Sequence, residues 1–384
     1  MIPAEHLYRA LNDQGIEFYA GVPDSLLKDF CSYVTDHHPS HRHIIAAHEG
    51  GAVALAAGYH LATNTIPAVY LQNSGIGNTI NPLVSLVDPA VYRIPLLLII
   101  GWRGEIADNG SQLPDEPQHR QQGRITLPLL SATGITCRII GAQSKSVDAE
   151  VADLLSIARK TGGPVALIVR KNTFENYTLQ RKNPVPSTLT LTREDAIAHV
   201  ASTLSPDTLI VATTGKISRE LFAYRTLSGT SHERDFLMCG SMGHASQIAA
   251  GIALANPPRP VVCLDGDGAA LMQLGGFSTS ALRPNLTHIV LNNGCHDSVG
   301  GQPTRGFEVD FAAIARAMGY SRFARAHNRA EIDQALAPLD VSGSTATFLE
   351  IRILPGSRAN LGRPTLSPLE MKSRFMQSMI PTKS

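Results

Sequence analysis

PVVCLDGDGAALMQLGGFSTSALRPNLTHIVLNN, residues 260–293, is the stretch on which the fold turns. Residues 261–264 form a short apolar run ending at Asp265, and residues 288–291 form a second run ending at the pair Asn292-Asn293. Apolar runs this short, bounded by glycine and polar residues, read as strands buried on both faces. Gly266-Asp267-Gly268 follows the first run, and residues 269–291 separate it from the asparagines. That interval holds one helix, so both motifs leave the C-terminal edges of parallel strands, where open α/β sheets bind ligands. Asp267 offers a carboxylate and Asn293 an amide oxygen, while Gly266 and Gly268 let the backbone approach a phosphate. Hard oxygen ligands that leave positions free for a diphosphate suit Mg2+. A Gly-Asp-Gly turn alone also marks ordinary strand ends. The paired asparagines after the next strand tip the reading toward a ligand site.

Outward from this stretch, apolar runs alternate with helical segments, the pattern of an α/β fold with parallel sheets covered by helices. Further strands are expected at residues 68–72, 96–100, 165–169, 208–212 and 348–353. Small-residue helices at residues 50–62 and 245–255 are expected to pack closely against a sheet or another subunit. Pro184 and Pro186 lie in a polar segment, residues 179–192, which reads as a linker between domains 1–178 and 193–384. No repeat of 20–50 residues is visible along the chain.

With 43% hydrophobic and 17% charged residues and a formal net charge of +1, the 384-residue chain has an ordinary globular balance. Nothing in that balance points to nucleic acid or a membrane surface. Residues 1–15 read as an amphipathic helix rather than a signal peptide, and the apolar run 94–100 is too short to span a bilayer. The five cysteines are scattered without paired spacing, which argues against a disulfide framework or a zinc site. A cytoplasmic location is expected.

The Gly-Asp-Gly turn followed at this distance by Asn-Asn resembles the signature of the thiamine-diphosphate enzymes. The resemblance implies two thiamine-diphosphate-binding-type domains, each a parallel sheet with helices on both faces. It also implies that Asp267, Asn293 and the backbone carbonyl of Cys295 hold Mg2+, which in turn holds the diphosphate. VATTGKISRELF, residues 211–222, runs from a strand through Gly215 into a helix. A glycine turn at a helix N-terminus is an anion site by geometry, which brings Thr213, Thr214 and Gly215 toward the diphosphate; a simple helix cap is the competing reading. GSMGHASQIAAG, residues 240–251, resembles the family segment that wedges the cofactor into its bent form, with Gly240 and Met242 in contact.

Activation of this cofactor needs a carboxylic group that shares a proton with its pyrimidine ring. HIIAAHEGGAVALAAGYHLA, residues 43–62, resembles the family's strand, glutamate and helix, and makes Glu49 the catalytic choice. A helix-start carboxylate favoured by the dipole is the plainer alternative. YLQNSGIGNTINPL, residues 70–83, resembles the family's SGxGxxN loop and adds Ser74, Gly75 and Asn78 to the cofactor site. In the family the pyrimidine half of one subunit faces the diphosphate half of another. The resemblance therefore implies a homodimer or higher homo-oligomer with active sites at the subunit interface. The chain has no central third domain, which places it with the compact members.

Six segments resemble a narrower group, the phosphonopyruvate and sulfopyruvate decarboxylases: GVPDSLL (21–27), GWRGE (101–105), DEPQH (115–119), TTGKISRELF (213–222), NNGCHDSVGGQPT (292–304) and PGSRANLGRPT (355–365). That resemblance implies a small anionic 2-oxo acid as substrate. The expected reaction takes 3-phosphonopyruvate to phosphonoacetaldehyde and CO2 through a ylid and an enamine, with sulfopyruvate as the rival substrate. Arginine forks match phosphonate oxygens, so Arg103, Arg358 and Arg363 are expected to bind substrate. Asp24 and His119 are expected to assist proton transfer; Asp24 also suits a cap for the helix that follows it. His48 and Gly51 flank Glu49 where the group usually carries asparagine. A non-catalytic dinucleotide-binding module is the remaining alternative, but no GxGxxG opens a helix with an acidic residue downstream.

Overall fold

The computed structural model describes residues 1–181, 184–337 and 346–379. They form two compact units. The first comprises the described residues up to 181 together with Ser298–Gln302, and the second comprises the remainder.

In the first unit six strands, β1 (Tyr19–Gly21), β2 (His43–Ile45), β3 (Ala68–Gln72), β4 (Leu97–Gly101), β5 (Thr136–Ile140) and β6 (Val165–Val169), pair in parallel in the order β2-β1-β3-β4-β6-β5. Its helices are α1 (Ala4–Asp13), α2 (Lys28–His37), α3 (Glu49–Thr63), α4 (Ile76–Ser85), α5 (Pro117–Ala132) and α6 (Val147–Thr161). Because side chains alternate across a strand, a continuous apolar run feeds both faces. Leu97, Ile99, Val165 and Leu167 meet Leu7 of α1, Phe30 of α2 and Leu154 of α6. Leu98, Ile100, Ala166 and Ile168 meet Ala52 and Ala56 of α3, Leu83 of α4 and Leu130 of α5. Helix α3 buries Ala52, Val53, Ala56 and Ala57 but leaves Leu55 and Leu61 exposed.

The second unit holds β7 (Leu209–Ala212), β8 (Asp235–Leu237), β9 (Val261–Gly266), β10 (Leu286–Asn292), β11 (Arg322–Ala326) and β12 (Thr347–Arg352). They pair in parallel in the order β11-β12-β10-β9-β7-β8. Read from the other edge, this is position for position the order of the first sheet, a structural repeat that the sequence does not display. Its helices are α7 (Arg193–Thr203), α8 (Lys216–Ser228), α9 (Ala245–Ala255), α10 (Asp267–Met272), α11 (Phe277–Ser280), α12 (Phe311–Ala317), α13 (Arg329–Leu336) and α14 (Pro368–Gln377). One face packs Val262, Leu264, Ile289 and Ile351 on α7, α8 and α13, and the other packs Val261, Cys263, Val290 and Phe348 on α9 and α12. Cys263, Asp265 and His288 converge on that second face, with His288 Nε2 3.4 Å from Asp265 Oδ2 inside a shell of Phe277, Tyr320 and Phe348. Its complete burial among rings makes this group part of the core.

The strands expected from the sequence are all present, with ends shifted by one or two residues. The strand read ahead of Glu49 is the three-residue β2, and the three-residue β1 and β8 and the half-exposed edge strands β5 and β11 complete the sheets. Of the expected linker 179–192, residues 182 and 183 lie outside the described residues, as do 338–345 and 380–384 of the expected second domain. Upstream of the gap, the Gln180 and Arg181 amides bond to Asp36, and downstream of it Leu191 packs in the second unit's core. Among the described residues no helix is long and apolar enough to cross a membrane.

In each unit the chain leaves the first strand toward one sheet edge and the third toward the other. The crevice between those two strands is the switch point at which α/β sheets bind ligands. Asp24, Glu49 and Ser74 to Asn78 follow β1, β2 and β3; Thr213, Met242 and Asp267 follow β7, β8 and β9.

Candidate active site

In the first unit the residues after β2 and β3 meet. Glu49 opens α3 and is buried, and Asn78 of α4 donates from Nδ2 to Glu49 Oε2 at 2.8 Å. Gly75 lies against the other oxygen: a methyl group there would sit 2.6 Å from Glu49 Oε1. His48 caps the helix, its Nδ1 accepting from the Gly50 amide at 3.0 Å. The helix therefore has a cap of its own, and the Glu49 carboxylate is held by side-chain contacts instead. Ser74 is exposed and accepts from Gln72 Nε2 at 2.8 Å, away from that carboxylate.

A second cluster sits at the ends of β1 and β4. Asp24 is 1% exposed, and its Oδ2 accepts from the amides of Leu26 and Leu27 at 3.0 and 3.2 Å. These amides precede α2, whose N-cap is Leu27 and carries no side-chain cap bond, so Asp24 shapes the turn before the helix rather than capping it; its carboxylate also faces Gly101 and the charge of Arg103. Burial pushes the Asp24 carboxyl up to about 6, against the pull of those amides and of Arg103. Arg103 is not a free fork. Its Nε and Nη2 donate to Asp115 at 2.9 and 2.5 Å, and its Nη1 donates to Ser25 Oγ at 3.1 Å. Burial works against the charge of Asp115, but the Arg103 fork and the Glu116 and Gly104 amides hold its carboxyl well below the usual range. Asn73 fixes the Arg103 backbone from both sides, donating to its carbonyl at 2.9 Å and accepting from its amide at 3.1 Å. His119, in the first turn of α5, packs its carbonyl under Gly104, whose φ of +65° and close contact both require glycine.

In the second unit Asp267 opens α10 at the end of β9, 2% exposed, and accepts from the Thr304 hydroxyl. Burial pushes its carboxyl up to about 6, with the Thr304 hydroxyl pulling back. Asn293, just past β10, donates from Nδ2 to Asp297 Oδ2 at 2.8 Å, while its Oδ1 accepts from the Cys295 amide at 3.2 Å. Asn292 turns inward, donating to the Gly306 carbonyl and to Glu350, which is paired with Arg325 and Arg352. The loop folds back where the Thr304 amide donates to Gly294 O at 2.9 Å. Burial and the neighbouring Asp297 push the Cys295 thiol up, so this side chain stays protonated and only its backbone suits a cation. Thr213 follows β7, 2% exposed, and among the described residues its Oγ1 has no hydrogen-bond partner. Thr214 and Gly215 are half-buried beside it, and Gly215, at φ +102°, turns the chain into α8. Gly240 and Met242 lie half-buried in the loop after β8. Gly266 and Gly268 bracket Asp267, and a methyl group on Gly268 would lie 2.9 Å from the His296 ring.

Arg358 and Arg363 belong to the loop after β12. Arg358 Nε lies 3.1 Å from Glu194 Oε1, with both side chains about one-third exposed, and Arg363 is exposed. The residues that fit a metal and a diphosphate are therefore a buried carboxylate without a counter-cation, an amide oxygen at the adjacent strand end and an orphaned buried hydroxyl. A buried polar group without a partner is costly, so the donor set suits a charged ligand.

The order of these two sets matches known proteins. Residues 1–126 match the family described as thiamine pyrophosphate enzyme, N-terminal TPP binding domain, and residues 213–351 match its C-terminal TPP binding domain. Both cofactor-binding halves of a thiamine pyrophosphate enzyme are thus present, in sequence. The phosphonopyruvate decarboxylase of Streptomyces hygroscopicus is 35% identical over 98% of this chain and 94% of its own. The sulfopyruvate decarboxylase of Methanosarcina acetivorans is 27% identical over 98% of this chain and 97% of its own. The sulfopyruvate decarboxylase subunit beta of Methanothermobacter thermautotrophicus is 37% identical over 49% of this chain and 96% of its own. The chain belongs to the phosphonopyruvate decarboxylase family of thiamine pyrophosphate enzymes. It is a lyase of the decarboxylase class that depends on thiamine diphosphate.

Several residues of these clusters carried little or no signal in the sequence. Asp115 lies in the quoted DEPQH segment, but its pairing with Arg103 is visible only in the fold. Asn73, Asp297 and Thr304 also lie in quoted segments, but their contacts with Arg103, Asn293 and Asp267 are visible only in the fold.

Proposed function

We propose that the chain decarboxylates 3-phosphonopyruvate to phosphonoacetaldehyde and CO2, with thiamine diphosphate held through Mg2+. The observation that carries this reading is the buried Glu49 carboxylate, with one oxygen fixed by Asn78 and the other against Gly75. When bound, thiamine diphosphate supplies the electron sink for the pair released with CO2. Glu49 would share a proton with the pyrimidine nitrogen of the bound cofactor, and Asn78 keeps its Oε2 from turning. Asp267, Asn293 and the Cys295 carbonyl hold Mg2+, a cation that matches their hard oxygens. Thr213, whose buried hydroxyl has no partner among the described residues, would donate to the diphosphate, Thr214 and Gly215 would present backbone beside it, and Met242 with Gly240 would support the cofactor. Ser74, Gly266 and Gly268 complete the walls.

Asp24 serves as the proton donor to the product carbon: a carboxyl near 6 keeps a protonated fraction at neutrality. His119 assists from α5. Arg103, preset by Asp115, and Arg358 and Arg363 on their loop balance the substrate's two acid groups. The phosphonate carries roughly one more charge than a sulfonate near neutral pH, and 35% identity to a phosphonopyruvate decarboxylase against 27% to a sulfopyruvate decarboxylase, each over 98% of the chain, favours phosphonopyruvate. The working unit is a cytoplasmic homodimer or higher homo-oligomer with its active sites between subunits. The exposed Leu55 and Leu61 on α3 and Leu254 on α9 support burial of those helices against another copy.

The test is turnover of phosphonopyruvate and of sulfopyruvate by the purified chain with thiamine diphosphate and Mg2+, followed by aldehyde detection. A higher kcat/KM for phosphonopyruvate is expected. A preference for sulfopyruvate reverses the substrate assignment, and no CO2 release from either removes it.

A further inference from the structure

We infer that Asp297 is a positioning residue that orients the amide of Asn293 and ties it to the loop of residues 355–365. The inference rests on the reading of Asn293 as a cation ligand. An asparagine serves a cation only if its oxygen faces the ion, and its two amide atoms are otherwise nearly interchangeable in shape. An ionised carboxylate accepts and cannot donate. Asp297 Oδ2, at 2.8 Å from Asn293 Nδ2, therefore fixes the NH2 on its own side and leaves Oδ1 on the other. The only protein donor on that oxygen among the described contacts is the Cys295 amide, so a second lone pair stays open.

The same carboxylate reaches the substrate-side loop. Asp297 accepts from the Gly356 amide at 3.0 and 3.1 Å and from Arg193 Nη1 at 2.7 Å. Arg193 in turn donates to the Gly356 carbonyl at 3.2 Å, so the Gly356 residue is gripped at its N–H and at its C=O. Gly356 has φ +111°, a conformation that L side chains avoid, and it sets the turn from which Arg358 and Arg363 follow. Arg193 is itself buried and held in a bidentate pair by Glu220 at 2.8 and 2.9 Å. The chain from cation ligand to arginine loop is thus continuous: Asn293, Asp297, Gly356, with Arg193 and Glu220 behind it. Partners of this kind orient a metal's direct ligands, and their loss typically lowers metal affinity by about 10–100-fold.

Asp297→Asn keeps the shape but replaces one acceptor oxygen with a donor that faces donors. Two measurements on the full chain with thiamine diphosphate test it: Mg2+ titration followed calorimetrically, and hydrogen–deuterium exchange of the amides of residues 355–365. We expect Mg2+ affinity to fall by about tenfold or more. We also expect loop protection to rise on adding Mg2+ to the wild type and to stay low in Asp297→Asn. Asn293→Ala runs in the same titration. If Asn293→Ala binds Mg2+ like the wild type, the ligand reading fails. If it weakens Mg2+ while Asp297→Asn matches the wild type in affinity and loop exchange, Asp297 has only a structural role. Asp297→Glu, which keeps the charge and shifts it by a methylene, takes its place should Asp297→Asn not fold, and is read the same way.

Discussion

Asp24 shows how one buried side chain serves both the fold and the chemistry. Its two amide contacts shape the entry to α2, while its 1% exposure raises its carboxyl from 3.8 to about 6. A folded-state value above the unfolded one means that folding favours the protonated form. Its contribution to stability is present in full below pH 4 and is lost as pH rises through 6, a loss of about 3 kcal/mol for two units. Asp24→Asn stays neutral throughout. Urea unfolding of the cofactor-free chain from pH 4 to 7 should therefore show the wild type losing about 3 kcal/mol relative to Asp24→Asn, with most of the change between pH 4 and 6. Parallel profiles would mean that Asp24 is ionised in the fold and unsuited to give up a proton near neutrality. Asp24 was legible in the sequence as a polar residue at a strand end; its perturbation was not, because it comes from burial against Gly101, on a strand two places across the sheet. The same holds for Arg103. Its arginine chemistry reads from the sequence, but its capture by Asp115 changes it from an open fork into a preset cation.

At the scale of elements, position at a strand end is what turns ordinary residues into a site. Glu49 is the first residue of α3, Gly75 precedes α4 and Asn78 lies one turn into it, so two βα connections meet on one carboxylate. Gly75→Ala tests that geometry without touching a charged group. Its new methyl would press on Glu49 at Oε1, Cδ and Cγ and displace the carboxylate from the place in which Asn78 holds it. Gly75 has φ −78°, so no backbone strain accompanies the change. The expected outcome is a thermal midpoint within a few degrees of wild type, with exchange of the cofactor's C2 proton slowed by more than tenfold. Unchanged exchange would show that the position of Glu49 does not govern activation. The sequence displays these loops clearly because their glycines and asparagines recur at fixed offsets from apolar runs. It hides the edge strands. RFARA in β11 and TCRII in β5 are half-exposed and charged in part, so they lack the unbroken apolar run that marks β4, β6 and β9. Edge strands with this composition also discourage sheet-to-sheet pairing. Short β8 escapes notice for a different reason: three residues carry no period.

The whole molecule is two copies of one strand order, and each copy closes its own core. Among the described residues, the two apolar clusters that flank the first sheet draw only on the first unit, and the two that flank the second sheet draw only on the second. A unit whose sheet is covered on both faces by its own helices has the apolar burial a domain of this length needs to fold alone. A relative that is a single subunit matches 49% of this chain over 96% of its own length, consistent with one such unit standing as a separate polypeptide. We therefore expect chains 1–182 and 183–384, expressed separately, each to give a cooperative thermal transition and a circular-dichroism spectrum of mixed helix and strand. Neither should turn over a 2-oxo acid alone, since Glu49 and Asp267 reside on different pieces. Mixing them should restore thiamine-diphosphate-dependent CO2 release that rises with the concentration of the second piece and saturates. The rival expectation is one indivisible fold, in which the cut leaves both pieces without cooperative melting and mixing restores nothing. Cooperative melting of both pieces without recovery of activity would separate the two questions: the units fold independently, but activity needs the covalent link.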